Sequence, residues 1–333
     1  MALLEVTNLR VQLPTARGWA EALRGIGFTL ERGDTLGLVG ESGCGKSLTA
    51  LALMGLLPER AMVRGSIRLG GQELLGQSDA ALCRIRGNRI AMVFQEPMTA
   101  LNPVHSVGRQ VAEPLRLHQG LDARAARHAA IALLERVGIA DAAQRFGAYP
   151  HQFSGGQRQR ISIAMALACG PDLLLADEPT TALDATLQQQ ILGLVHELVA
   201  ERGMGLLLIS HDLGVMAQNV RRVLVMYGGS VVESGPTATV FARPAHPYTR
   251  GLLAARPAWG TPRAAGTRQH LPTIAGTVPE LIDLPPGCPF AGRCAFTIDA
   301  CHTTVPPPTL LAGDHTVRCI RLDAVAAATQ ATP

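Results

Sequence analysis

The sequence predicts an α/β fold built on a parallel sheet, and three observations predict it. Apolar runs of strand length, Thr35–Val39, Arg89–Phe94, Asp172–Ala176 and Gly205–Ile209, alternate with stretches whose apolar residues recur at helical spacing. The first run leads into Gly40-Glu41-Ser42-Gly43-Cys44-Gly45-Lys46-Ser47 and then a helix-forming run from Leu48, the strand–glycine loop–helix order of a phosphate-binding loop. The other three runs end on polar residues, Gln95, Asp177-Glu178 and Ser210-His211, and ligands of such sheets bind at the carboxyl ends of the strands.

Each element has its own signal. Before the glycine loop, Leu3–Val6, Arg10–Leu13 and Ile26–Leu30 alternate apolar and polar residues and predict short antiparallel strands. Trp19 falls between them in a turn-like setting, where it either plugs a sheet edge or offers its face to a flat base. Gly65–Gly71 predicts a hairpin. From Val107 to about Gly170 the spacing is helical, with breaks at Gly120 and Gly138, so a helical insertion divides the parallel strands. Leu187–Arg202 predicts another helix, and residues 223 to 235 a hairpin closed by Gly228-Gly229. Residues 254 to 272 read as linker, residues 285 to 319 as a small Pro/Cys-rich C-terminal region, and Ala324–Pro333 as a frayed tail.

Composition narrows the partners. With 47% hydrophobic and 17% charged residues, and 30 Lys and Arg interspersed with 26 Asp and Glu, the chain has no basic stripe for nucleic acid. Met1–Arg10 carries no signal-peptide pattern, and no apolar run approaches the roughly 20 residues that span a bilayer. A cytoplasmic chain that meets a membrane through partners is expected.

The polar groups suit nucleotide hydrolysis. Glycines 40, 43 and 45 let Ser42, Cys44 and their neighbours turn backbone N–H groups toward one anion, at the positive end of a helix. Lys46 can reach the β- and γ-phosphates of ATP, and the Ser47 hydroxyl can ligate Mg²⁺. Asp177 can hold Mg²⁺, Glu178 can take a proton from the attacking water, Gln95 can bridge metal and water, and His211 can reach the γ-phosphate. Singly, each has an ordinary structural role open to it. The Ser154-Gly155-Gly156-Gln157 helix start is a second anion site, and two half-sites on one chain predict a head-to-tail dimer with each ATP clamped between two chains.

Over about residues 3 to 245 the sequence resembles the ATP-binding subunits of ABC transporters. Gly40–Ser47 matches Walker A, Gln95 the Q-loop, Ser154–Gln157 the signature, Leu173–Glu178 Walker B, Ala182-Leu183-Asp184 the D-loop and His211 the switch histidine. Phe153 stands where Leu is commoner, and Thr181 where many members have Ser. Trp19 matches the adenine-stacking aromatic. Residues 94 to 103, Ala176–Asp184, His246-Pro247-Tyr248-Thr249 and the Pro-rich segment 285 to 294 with its cysteines resemble the dipeptide/oligopeptide/nickel importer branch. The resemblance implies a nucleotide-binding domain at 1–240, with a helical subdomain at about 96–170, and a C-terminal extension at 241–333. It implies an ATPase peripheral to the cytoplasmic face of the membrane. Its partners would be a second related ATPase, two transmembrane permease subunits that dock on residues 96 to 150, and an extracytoplasmic solute-binding protein. A soluble, non-transport ABC ATPase and an importer of nickel chelates or another non-peptide solute are the alternatives.

Four of the seven cysteines, Cys288, Cys294, Cys301 and Cys319, lie in the last 46 residues. The segment is too poor in apolar residues to bury four unrelated thiols, and a reducing compartment disfavours disulfides. Zinc commonly uses pairs two to four residues apart; the wider intervals here suit a larger cluster. The resembling importer subunits carry this cysteine pattern, some with a [4Fe–4S] cluster, which makes that cluster the expected group, with no metal and Zn²⁺ as the alternatives.

Overall fold

The computed structural model describes residues 2–95, 100–180, 184–255 and 273–330. Two sheets organise it. The larger has strand order β11-β12-β10-β9-β3-β8-β7-β6, with β3 Thr35–Val39, β6 Ile90–Val93, β7 Leu173–Asp177, β8 Gly205–Ile209, β9 Arg222–Tyr227, β10 Ser230–Pro236, β11 Thr309–Leu310 and β12 Thr316–Val317. Strands β9, β3, β8, β7 and β6 run parallel, so their carboxyl ends share one edge, as the apolar runs predict.

Side-chain alternation divides the interior into two cores. Leu36, Leu38, Leu173, Leu175, Leu207 and Ile209 point to one face and pack with the second sheet and the helix Lys46–Met54. Leu174, Ala176, Leu206, Leu208, Val223 and Val225 point to the other, against helices 107–119, 155–167 and 185–202. Each such Leu is 0% exposed and contributes roughly 1.5–3 kcal/mol by leaving water.

The second sheet is antiparallel, order β2-β1-β4-β5, from β1 Leu4–Thr15, β2 Gly18–Leu30, β4 Met62–Leu69 and β5 Gln72–Glu73. The segments Leu3–Val6 and Arg10–Leu13 are one strand, not two. A bulge between Val6 and Leu9 joins them, with Asn8 at φ 46°; the extra residue interrupts the alternation and imitates a break. Helices Val107–Gln119 and Ala123–Arg136 end at Gly120 and just before Gly138, and Gly228-Gly229 joins β9 to β10. The tail holds a helix, Leu322–Gln330, secured by buried Val325, whose carbonyl accepts from Arg250 at 2.8 Å. The linker after Ala255 lies outside the described residues, as do 96–99 and 181–183 of the Q- and D-loop matches. No described helix is long and apolar enough to cross a membrane.

The C-terminal region is tied to the rest by the sheet itself. Strand β12 pairs with β10, Glu233 opposite Val317, and Phe290 packs on Tyr227 and Tyr248 with ring centroids 5.1 and 5.4 Å apart.

Candidate ATP site

The glycine loop joins β3 to the helix that starts at Lys46. Gly45 caps this helix at φ 102°, a conformation L side chains avoid, and a Cβ on Gly40 would collide with the Met226 carbonyl oxygen. The loop thus lies tightly against β9. Buried Lys46 donates from Nζ to the carbonyls of Gly40 (2.8 Å) and Glu41 (3.1 Å), inside the loop's curl. Cys44 is buried beneath it, and burial pushes its thiol pKa up although the Lys46 charge opposes this.

The neighbouring strands deliver the polar groups to the same edge. Asp177 ends β7 and is buried, and its Oδ1 has no hydrogen-bond partner among the described residues. Burial pushes its carboxyl above the ordinary range, against the Ser47 hydroxyl and with the repulsion of Glu178; the Lys46 charge pulls down. An orphaned buried acceptor beside Ser47 and Lys46 fits a divalent cation, which would replace the missing donor.

Glu178 is held from both sides. Gln95 Nε2 donates to its Oε2 at 3.1 Å and His211 Nδ1 lies 3.0 Å from its Oε1. Its backbone sits at φ 45°, rare for a non-glycine residue, and its N–H donates to the Ile209 carbonyl at 2.9 Å, a bond to β8 that holds the turn. Gln95, Glu178 and His211, called separately from three strand ends, therefore form one connected constellation. The Glu178 side chain is 14% exposed and His211 64%, so the carboxylate lies inside and the imidazole at the open edge.

The second anion site is formed as a capped helix. Ser154 Oγ accepts from Gln157 N–H at 3.3 Å, and Gln157 Oε1 accepts from Ser154 N–H at 3.1 Å, a capping box. Gly155 has open space where a Cβ would be, whereas a Cβ on Gly156 would strike Leu187 of helix 185–202. Asp184 caps that helix, accepting from Leu187 N–H at 2.8 Å. Trp19 pairs with Pro14 near the tip of the β1–β2 hairpin and is 50% exposed, a free aromatic face.

Two family descriptions match the chain: ABC transporter over residues 23–181, and oligopeptide/dipeptide transporter, C-terminal region, over residues 232–301. A Brucella melitensis biotype 1 protein, provisionally named a peptide import ATP-binding protein, is 50% identical over 333 residues, 98% of this chain and 98% of its own length. The chain belongs to the ABC transporter family. A similarly named Brucella abortus protein is 50% identical over 319 residues, covering 95% of this chain and 94% of its own. Among solved structures, a post-hydrolysis dimer of an ATP-binding cassette bound to ADP and Pi has a TM-score of 0.63 and 26% identity, over 70% of this chain and 98% of that one. A cassette from Clostridium perfringens, part of an ABC transporter complex, has a TM-score of 0.62 and 27% identity over 73% and 91%. The chain is thus an ABC-type ATPase with the P-loop ABC fold.

Sequence reading missed the contact between the C-terminal region of this ABC protein and its own P-loop. Arg293 grips Glu41 with both guanidinium ends, at 2.7 and 3.2 Å, and Tyr248 Oη accepts from Glu41 N–H at 2.7 Å. Burial works against the Arg293 charge but is outweighed by Glu41 and Tyr227, and the pKa is raised. The Arg293-to-Glu41 pairing spans 252 residues, and nothing local announces it.

The four C-terminal cysteines line one pocket with Phe290, Phe296 and Ile320. Cys288 and Cys301 are buried, against the expectation that the segment could not cover them; Phe290, Ala291, Phe296, Pro306 and Ile320 of the segment line their pocket, with His246 and Pro247. Burial pushes the Cys288 thiol up to about 11, reinforced by the charges of Cys294, Cys319 and Cys301. Among the described residues no group of three or more His, Cys, Asp or Glu side chains is placed to hold a metal ion. Neither the expected [4Fe–4S] cluster nor its Zn²⁺ alternative is supported by this arrangement, and the thiols as found are a gathered donor set without formed metal geometry.

Proposed function

We propose that the chain powers an ABC importer, coupling ATP binding and hydrolysis to uptake of peptides or a related small solute. The observation that carries the hydrolytic part is the Gln95–Glu178–His211 constellation beside Asp177 and Lys46. Residues 40–47 cradle the phosphates and Trp19 stacks on the adenine. Ser47, Asp177 and Gln95 hold Mg²⁺, which would neutralise charge developing on the phosphates. Glu178 is the base that takes the proton of the attacking water; Gln95 and His211 fix both of its oxygens and so aim it. Ser154, Gly155, Gly156 and Gln157, with Asp184, close over the partner subunit's ATP, so the working unit is a head-to-tail pair with a second related ATPase.

The peptide cargo is supported by the match to the oligopeptide/dipeptide C-terminal region and by the names of relatives. The nucleotide work falls to residues 1–240, with a helical part at about 96–170, and residues 241–333 form the extension. Two permease subunits dock on residues 96–150 at the cytoplasmic face of the membrane and receive solute from an extracytoplasmic binding protein. A [4Fe–4S] group, if present, would be held by Cys288, Cys294, Cys301 and Cys319, the four thiols that line one pocket.

The test compares Lys46→Ala with Ser154→Arg in the complex purified from membranes. Lys46→Ala is expected to weaken ATP binding at this chain's own loop, and Ser154→Arg to spare that binding and block closure of the pair. Equal loss of nucleotide binding in both, or failure to co-purify with membrane subunits, overturns the respective part. Anaerobic protein is expected to be brown, with about four irons per chain; colourless protein removes the cluster and leaves the ATPase untouched.

A further inference from the structure

Outside the ATP site, a recess of about 370 Å³ opens between β1, β2, β10 and the C-terminal extension, and three arginines, Arg10, Arg24 and Arg318, line it with Glu21. The charges do not balance. Glu21 Oε1 is taken by Arg10 at 2.7 Å, and its other oxygen stands 3.9 Å from Arg24 Nε. Arg24 is largely buried, with 15% of its side chain exposed. Its Nη2 donates to the carbonyls of Pro285 and Pro286, at 2.9 and 3.4 Å, while Nη1 is buried with no hydrogen-bond partner among the described residues. Arg318 is placed by its backbone N–H, which donates to the Val232 carbonyl at 2.8 Å. Its Nε and Nη atoms make no hydrogen bond or ion pair among the described residues. Burial disfavours the cationic form of Arg24, with Glu21 opposing and Arg10 adding to the effect, and burial and the charge of Arg10 do the same to Arg318.

A guanidinium out of water with open donors is costly unless an acceptor meets it. Here one such donor, Arg24 Nη1, lies beside a recess that also holds the half-buried Arg318 guanidinium and one carboxylate already engaged. At about 370 Å³ the recess has room for a compact ion with its water. Guanidinium forks match the oxygens of phosphate or carboxylate, two donors to two acceptors.

We propose that this recess is a binding site for a small polyvalent oxyanion of the phosphate class, held by Arg24 and Arg318 with Arg10 at its rim. None of its lining residues belongs to the P-loop, the strand-end constellation or the capped helix at Ser154. Because the anion would bridge β2 to the extension beside Cys288 and Cys319, it would fasten the C-terminal region to the nucleotide-binding core.

The experiment titrates inorganic phosphate, at constant ionic strength, into the full chain with its ATP site saturated by a non-hydrolysable ATP analogue and Mg²⁺. One phosphate per chain is expected, with sulfate as competitor. Arg24→Gln and Arg318→Gln are each expected to weaken it about 10- to 100-fold, the loss of one or two charge-assisted hydrogen bonds, with ATP affinity and ATPase rate unchanged. Thermal unfolding supplies a second readout that does not depend on affinity. In anion-free buffer Arg318→Gln is expected to melt at or above the Tm of the unsubstituted chain, because an uncompensated charge is gone, and to lose the rise in Tm that phosphate gives. Absence of phosphate binding, equal binding by all variants, or an Arg318→Gln chain that melts lower with and without phosphate would overturn the proposal. The arginines would then serve only to pin the extension or to balance the nearby thiols.

Discussion

Glu178 concentrates the chemistry of the site in one side chain. Its backbone is in the left-handed region, a conformation that costs of order 1–3 kcal/mol and is retained where surrounding structure over-determines it. Here the determinants are the bond to the Ile209 carbonyl and the grip of Gln95 and His211 on the carboxylate. The strain aims a base that could not otherwise turn back over the sheet edge. Glu178→Gln keeps the shape and removes the base. Hydrolysis is expected to fall by roughly 10²- to 10⁴-fold, the share of general-base catalysis, with ATP binding retained and the closed pair trapped. Steady-state phosphate release and analogue binding measure the two halves; loss of nucleotide binding would mean that Glu178 holds the nucleotide instead of the water.

At the scale of elements, the P-loop helix and the Ser154 helix are built by opposite means. The first starts on Gly45 with no side-chain cap, leaving its N–H groups for an anion. The second is closed by its own Ser154–Gln157 box, so what it offers a partner is an exposed Gly155 and the helix end. Gly156 behind it has no room: a Cβ there meets Leu187 of the helix that Asp184 caps. Gly156→Ala is therefore expected to cost about 1–3 kcal/mol by overpacking. It should shift the Ser154 helix against helix 185–202, so that hydrolysis falls while binding to the chain's own P-loop survives; a calorimetric Tm and an ATPase assay read this. A variant with unchanged Tm would mean Leu187 can move aside. These elements were legible because their signals are local: the apolar runs named the parallel strands, and Gly-x-x-x-x-Gly-Lys-Ser and Ser-Gly-Gly-Gln named two helix starts. The bulge at Asn8 was not, because one inserted residue breaks a period-2 pattern just as a turn does. The cover over Cys288 and Cys301 was not, because it is assembled from single apolar residues scattered from His246 to Ile320, with no periodic run to announce it.

Across the whole molecule, the C-terminal extension closes a circuit with the catalytic end. It extends the sheet through β12, packs Phe290 among Tyr227, Tyr248 and His246, and ends on the Arg293–Glu41 pair, with Cys294 the next residue. Glu41 is the second residue of the phosphate loop, so the extension sets the position of the loop's backbone. Tyr248, accepting from Glu41 N–H, holds the main chain while Arg293 holds the side chain. Arg293→Gln breaks a charge-assisted pair whose guanidinium is 6% exposed, where such bonds are worth roughly 1.5–3 kcal/mol. Part of that is recovered by relaxation of the loop, so the expected effect is a rise in KM for ATP of about 3- to 10-fold with a smaller change in kcat. Glu41→Gln should do the same, and because both act through one contact the double variant should be little worse than either single one. Steady-state ATPase kinetics on the four chains complete that cycle. Additive effects would show that the extension and the loop are merely neighbours, whereas a strong coupling would mean that the state of the cysteine pocket, one residue from Arg293, can reach the phosphates of ATP through a single ion pair.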